Sequence, residues 1–233
     1  MSLIINLETS TTVCSVSLAE NGQILATRED LNGRNHAALL TSFIGDVLDT
    51  AGRKPDELSA VAVSRGPGSY TGLRIGVSVA KGMAYALSVP LLSVETLKMM
   101  ASGYLEENPA FKNEPGILLC PVIDARRMEV YSALYSTRVE QAREVKAEVI
   151  VEKSFNDELR SNRLIIFGDG ARKCRDVLKS GRITIDEKFC ISSRHMVHLS
   201  FQKLENKEFE DVAYFEPFYL KDFIATIPKN KVI

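Results

Sequence analysis

The sequence predicts an α/β protein of two similar lobes that face each other across a cleft. Three observations carry this expectation. Apolar runs of strand length alternate with segments of helical spacing along the chain. At a shift of 116 residues, Leu7-Glu8 falls on Ile123-Asp124 and Cys14-Ser15-Val16-Ser17-Leu18 on Val130-Tyr131-Ser132-Ala133-Leu134. At a shift of 102, Gly66-Pro67-Gly68 falls on Gly168-Asp169-Gly170, so each half has a strand, a Gly-x-Gly turn and a helix in that order. The segment from Asn108 to Gly116, with two prolines and a glycine, reads as the linker. The expected lobes are therefore 1–107 and 108–233.

Taken in order, Leu3 to Leu7 reads as a buried strand and Thr9 to Thr12 as a polar turn. Cys14, Val16 and Leu18 alternate with Ser15 and Ser17, a half-buried strand. Asn21-Gly22 marks a hairpin, because both central positions of its turn need positive φ. A third strand covers 23–29. Asn35 is placed to cap a helix that Gly52 ends. Its stripe of Ala37, Leu40, Ile44, Val47 and Ala51 is widened by Leu39, Phe43 and Leu48. Ala60 to Val63 is a buried strand, and a helix over 72–87 is apolar on nearly every side, as expected of one buried on several faces. A strand at Leu91-Leu92 and a helix from Val94 to Glu106 close the first lobe.

The second half restarts with a strand at Ile117 to Ile123, a turn at Asp124 to Arg127 and a strand at Glu129 to Tyr135. A strand near Glu148 to Val151, a short helix capped by Ser154 and a buried strand at Leu164 to Phe167 follow. Helices are expected at 171–179 and, capped by Ser193, at 194–206. The aromatic tail from Ala213 to Leu220 is expected to dock on the body.

Composition narrows the function classes. The 233 residues are 45% apolar and 25% charged, which excludes a disordered, collagen-like or coiled-coil chain. No apolar run reaches the roughly 18 residues of a membrane span. Met1 to Asn6 lacks the basic region of a signal peptide, so a cytoplasmic protein is expected. A net charge of −1 implies that a partner supplies much of the charge if the chain works on nucleic acid. The four cysteines form no C-x-x-C pair; Cys14 and Cys120 lie inside apolar strand runs and read as small buried hydrophobes. With only His36, His195 and His198, no histidine-built metal site is expected.

The most informative stretch is Gly66-Pro67-Gly68-Ser69-Tyr70-Thr71-Gly72-Leu73-Arg74. Its N–H groups at a helix start suit an anion. Position 71 is Thr, so it is not a dinucleotide fingerprint, and no Gly-Lys-Ser/Thr follows as in a Walker loop. Phosphate contact and a tight structural turn both fit. Arg65 and Arg74 flank it, as bidentate anion ligands or as solvated surface residues. Glu8 and Asp124 end the first strands of the two halves and would face each other, to hold Mg²⁺ with a nucleotide, to act as general bases, or to bond their own turns. The candidates for a nucleotide- or phosphate-facing cleft are Glu8, Thr9, Ser10, Gly66, Gly68, Ser69, Asp124, Arg126, Gly168 and Gly170.

Three segments resemble the bacterial TsaB (YeaZ) family: Ile4 to Ser10, Gly66 to Gly76 (GPGSYTGLRIG) and Asp124 to Tyr131. The resemblance implies the duplicated actin-like ATPase or sugar-kinase (RNase H-like) fold, each lobe a mixed sheet flanked by helices. It implies an accessory role in making N6-threonylcarbamoyladenosine next to the anticodon of tRNAs that read codons starting with A. The partners implied are the catalytic paralogue TsaD and the ATPase TsaE, with tRNA bound only through the complex and a homodimer formed in isolation. In the catalytic paralogue an H-x-x-x-H pair binds metal; here only His36 lies in the comparable helix, and Leu40 stands in the second place. No catalytic residue, metal or cofactor is therefore expected in the isolated chain, ATP or ADP and metal residing on the partners. The wide apolar helices supply interface candidates Leu39, Phe43, Val47, Tyr70, Thr71, Arg74, Ala80 and Met83. The rival readings are a sugar- or acetate-kinase-type phosphotransferase and a glycoprotease-type metallopeptidase.

Overall fold

The computed structural model describes residues 2–33 and 35–221. The first sheet runs β1 (Leu3–Glu8), β2 (Cys14–Glu20), β3 (Gln23–Asp30), β4 (Ala60–Gly66) and β5 (Leu91–Glu95), in spatial order β3-β2-β1-β4-β5. The first three strands pair antiparallel and the last two add in parallel. The second sheet comprises β6 (Ile117–Asp124), β7 (Glu129–Ser136), β8 (Gln141–Val149), β9 (Arg163–Phe167) and β10 (Ile183–Asp186). Its order, β10-β9-β6-β7-β8, repeats the first sheet strand for strand. The repeat reaches single dihedrals: Gly66 and Gly168, 102 apart in sequence, both hold φ of +111°. The helices are α1 (His36–Ala51), α2 (Tyr70–Leu87), α3 (Thr96–Glu107), α4 (Ala171–Val177) and α5 (Val197–Glu205).

Strand alternation sorts these elements into layers. Leu3, Ile5, Leu7, Val16, Val61 and Val63 face one way and pack with Leu40, Val47 and Ala80 of α1 and α2. The opposite face, with Ile4, Ala60, Ala62, Leu92 and Val94, packs on α3. Leu119, Ile123, Tyr135, Ile165 and Phe167 of the second sheet reach that same core from the other side. Cys120, Val122, Leu164 and Ile166 point outward to α4. Helix α3 therefore lies between the two sheets.

The inner face of the first sheet is partly polar, and the chain after residue 191 satisfies it. Ser193 Oγ lies 2.7 Å from Ser15 Oγ and 2.6 Å from Ser17 Oγ. Ser200 Oγ donates to Asn6 Oδ1 at 2.6 Å. Although it belongs by sequence to the expected second lobe, this segment lies on the first sheet, and α5 contacts β1 and β5. The tail docks as well: Lys81 Nζ donates to the carbonyls of Ala213 and Phe215, and the Phe218 N–H donates to Arg65 O. Residues 222–233 of the expected second lobe lie outside the described residues.

Several expectations need correction. It is α3 that is buried all round; α2 shows Ser78, Gly82, Tyr85 and Ala86 to solvent. Asn35 makes no side-chain cap to α1. Ser192, not Ser193, caps the 3-10 turn Ser193–Met196 that leads into α5, because Ser193 is committed to the sheet. Ser154 caps no helix; its hydroxyl accepts the Val151 N–H. The strand expected at 148–151 is Gln141–Val149, an edge strand whose alternating charges mask it. Strand β10 was not expected: at four residues it carries too short a pattern.

Helix packing gives a paired test. A Cβ at Gly103 would lie 2.2 Å from His195 Cγ, whereas Gly82 faces open space. Gly103→Ala is expected to destabilise by about 1–3 kcal/mol through overpacking. Gly82→Ala is expected to stabilise by about 0.5–1 kcal/mol through helix propensity. Urea unfolding of both variants reads the opposite signs.

Candidate functional site

The Gly-rich stretch lies where β4 passes into α2, beside the turn that follows β1. That turn packs directly against the glycines. A Cβ at Gly68 would meet Ser10 O at 2.3 Å, at Gly72 Thr9 O at 2.1 Å, and at Gly76 Thr9 Oγ1 at 2.2 Å. The Ser69 N–H donates to Ser10 O at 2.6 Å, and Thr9 Oγ1 donates to Gly72 O at 2.8 Å. Ser69 Oγ accepts the Gly72 N–H and so caps its own helix. The glycines thus let two backbones of the same lobe touch. These contacts give the glycines a structural role in the turn.

The cleft candidates follow suit. Glu8, Thr9 and Ser10 are wholly buried, at 0% exposure, and line no open cleft. Glu8 Oε1 accepts from Ser10 N at 2.6 Å and Ser10 Oγ at 2.5 Å. Gly168 is packed on Val122 O, and Gly170 on the backbone of Ile123 and Asp124. Asp124 is exposed, accepts the Arg126 N–H at 2.7 Å and pairs with Lys173 Nζ at 2.5 Å. Arg126 is exposed at the tip of that turn, with φ of +70°. Both carboxylates therefore bond their own turns, the plainer of the expected roles.

Charge at the strand ends is nonetheless unusual. Burial pushes the Glu8 carboxyl up to about 7, against the bonds from Ser10 and with help from the negative charge of Asp169. Glu8 Oε2 and Ser64 Oγ are both buried without a well-formed hydrogen bond, although Ser64 lies close enough to favour the carboxylate. Asp169, which accepts the Asp124 N–H at 3.0 Å, is itself held above the usual range by desolvation and then by Asp124. So the second half reaches Glu8 electrostatically through Asp169, a residue the sequence reading passed over between two glycines. A charged residue inside Gly-x-Gly at the repeat position was the available signal.

The open space between the lobes lies to one side. A cavity of about 300 Å³ is lined by Arg65, Gly66, Pro67, Glu95, Lys98, Tyr135 and Phe218 among others. Arg65 and Lys98 face Glu95 there, so an anion would meet mixed charge. Arg74 stacks over Tyr70 at 5.2 Å, and Tyr70 packs on Tyr219 at 4.8 Å, which ties this part of α2 to the tail.

The histidines are engaged by protein groups. His36 Nε2 is 3.1 Å from Val13 O, and Leu40 is buried in the core. His195 is buried, with Nε2 3.0 Å from Glu107, and desolvation lowers its pKa. Among the described residues no group of three or more His, Cys, Asp or Glu is placed to hold a metal ion.

Two interface candidates need correction. Val47 and Ala80 are at 0% exposure inside the first lobe. Leu39, Phe43, Tyr70 and Met83 are half-buried, and Thr71 and Arg74 are exposed. Tyr85, not among the candidates, is 81% exposed on α2. The wide stripe had two causes: part of it fills the core against the sheet, and part stays at the surface.

Comparison with known proteins gives a consistent set. The family described as "TsaD: tRNA N6-adenosine threonylcarbamoyltransferase" is matched over residues 30–229. The tRNA threonylcarbamoyladenosine biosynthesis protein TsaB of Escherichia coli is 30% identical over 95% of this chain and 96% of its own. The TsaB of Bacillus subtilis is 32% identical over 57% of this chain and 54% of its own. Among solved structures, an uncharacterized protein with similarity to peptidase YEAZ from Pseudomonas aeruginosa aligns with a TM-score of 0.79 at 26% identity. That alignment covers 95% of this chain and all of the other.

The raised Glu8 value fixes a sign. Because the folded value near 7 exceeds the ordinary 4.5, the folded state holds this proton more tightly. The stability it contributes is full below pH 4.5 and is lost as pH rises through 7. The stability of wild type relative to Glu8→Gln is expected to fall by at most about 3 kcal/mol across that window. Urea midpoints measured at several pH values check it; a difference independent of pH means that folding leaves the Glu8 carboxyl at its ordinary value.

Proposed function

Because this chain belongs to the TsaB family of tRNA threonylcarbamoyladenosine biosynthesis proteins, we propose that it is a non-catalytic subunit of the cytoplasmic machinery making that nucleoside. Its partners are a TsaD-like catalytic paralogue and a TsaE-like ATPase, and ATP and metal reside on them. The observation that carries this reading is the closed Gly-rich loop. Thr9 and Ser10 occupy the approach that a phosphate would use, and Leu40 stands in the core where a second histidine would be needed. A phosphotransferase would need the loop open, and a metallopeptidase would need a ligand set. What remains is a rigid body with partner surface. The half-buried Leu39, Phe43 and Met83 supply that surface on α1 and α2.

The test is reconstitution. The chain mixed with the TsaD-like and TsaE-like proteins of its source, unmodified tRNA, ATP, threonine, bicarbonate as the source of the carbamoyl carbon, and the enzyme that forms the threonylcarbamoyl adenylate is expected to yield the modified nucleoside, read by mass spectrometry. Omission of this chain is expected to abolish the product. Product formed equally without it overturns the reading. On the interface, Phe43→Asp and Met83→Glu each place a charge on a surface that becomes dry on association. Both variants are expected to keep a wild-type circular dichroism spectrum while losing self-association and capture by the TsaD-like partner. Folded variants that retain both associations exclude this face.

A further inference from the structure

A second open space lies between the lobes, a groove of about 790 Å³. Its walls come from α3, the 3-10 turn that follows it, the β7–β8 hairpin and the start of α5. The whole chain carries 29 basic and 30 acidic residues, yet this groove gathers Lys98, Lys112, Arg138 and Arg194 against one carboxylate, Glu106. Lys112, Arg138 and Arg194 are exposed, and Lys98 is half-buried. Among the described residues Lys98, Lys112 and Arg138 form no ion pair, and Arg194 reaches only Glu29, at 3.9 Å. Like charges gathered at one rim raise the potential there and draw anions to it.

The arrangement also says which anion. A single phosphate group needs donors converging on one buried point. Here the cations come from separate elements and line the solvent edge, as an extended polyanion requires. The lining contains no Phe, Tyr or Trp, and its one ring, the exposed His198, lies 2.9 Å from Gln202 Nε2, so no row of rings offers successive bases a stack. Asn113 and Gln202 offer amide groups of the kind that meet phosphate and ribose oxygens. We infer that this groove directly holds the phosphodiester backbone of tRNA, without reading its sequence. The inference rests on the tRNA reading above. It also revises the expectation drawn from net charge, because the local field, not the total, decides whether a strand binds.

The test uses the chain alone, a fluorescently labelled unmodified tRNA transcript and anisotropy at about 50 to 200 mM salt. Wild-type affinity is expected to fall with salt along a straight log–log line. The double variant Lys112→Glu, Arg138→Glu is expected to bind about tenfold more weakly at the low-salt end. Its line should be shallower by about 2, one for each lost phosphate contact. If it misfolds by circular dichroism, Lys112→Gln with Arg138→Gln should show the same shallower line with a smaller loss. Wild type that binds no tRNA overturns the inference, as does a folded variant with wild-type affinity and slope. Displacement of tRNA by inorganic phosphate at constant ionic strength also overturns it, in favour of a small-anion site. Reconstituted modification keeps the two readings apart. Wild type that supports modification while folded variants bind tRNA unchanged sinks the groove and leaves the subunit role standing; modification that proceeds equally without the chain removes that role.

Discussion

The structure depends on one helix that is buried along most of its length between the two sheets. Nine of the twelve residues of α3 are buried, from Thr96 and Leu97 through Met99 to Leu105. Each sheet offers α3 an apolar face, and neither face has another cover at that place. Tyr104 shows how tight the fit is: its ring lies 4.1 Å from that of Phe167 and 5.8 Å from that of Phe189, both on the second lobe. Gly103 is small because His195 sits directly against it. Full burial of side chains of this size stabilises by roughly 1.5–3 kcal/mol apiece. The lobes are thereby joined by a shared core rather than by a hinge.

That junction shapes what the strand ends can do. In a fold of this kind the turns after β1 and β4 would form the floor of a ligand cleft. Here the turn after β1 lies down on the glycines after β4, and two hydrogen bonds, Ser69 N–H to Ser10 O and Thr9 Oγ1 to Gly72 O, hold it there. Glu8 is left in the interior, its charge disfavoured by burial, with Asp169 adding repulsion from the other lobe. The free surface is displaced sideways, to the outer helices and to the grooves between the lobes.

Much of this was legible in the sequence, and the failures have physical causes. The hairpin at Asn21-Gly22 and the helix end at Gly52 were readable because each depends on a local dihedral, and Asn21, Gly22 and Gly52 all hold positive φ. The duplication was readable because Gly66 and Gly168 recur with their strands. The central position of α3 was not readable. A helix with no polar face looks like any apolar run, and the more apolar α2 drew that expectation instead. Edge strands β8 and β10 were obscured by charge and by brevity. At the site, glycine spacing fixed a close approach but not its partner, and Thr9–Ser10 sits about sixty residues away in sequence. The basic groove was invisible because its cations are scattered from Lys98 to Arg194.

The seryl contacts of the late segment bear on how the chain is made. Ser15, Ser17 and Asn6 emerge from the ribosome early, yet the hydroxyls that meet them belong to Ser193 and Ser200. At roughly 5–20 residues per second of synthesis, that interval is on the order of 10–40 s. Throughout it the inner face of the first sheet is wet, and the nascent amino-terminal half is a partner for whatever holds exposed strands. The native lobe is thus closed by a segment made long after its own strands.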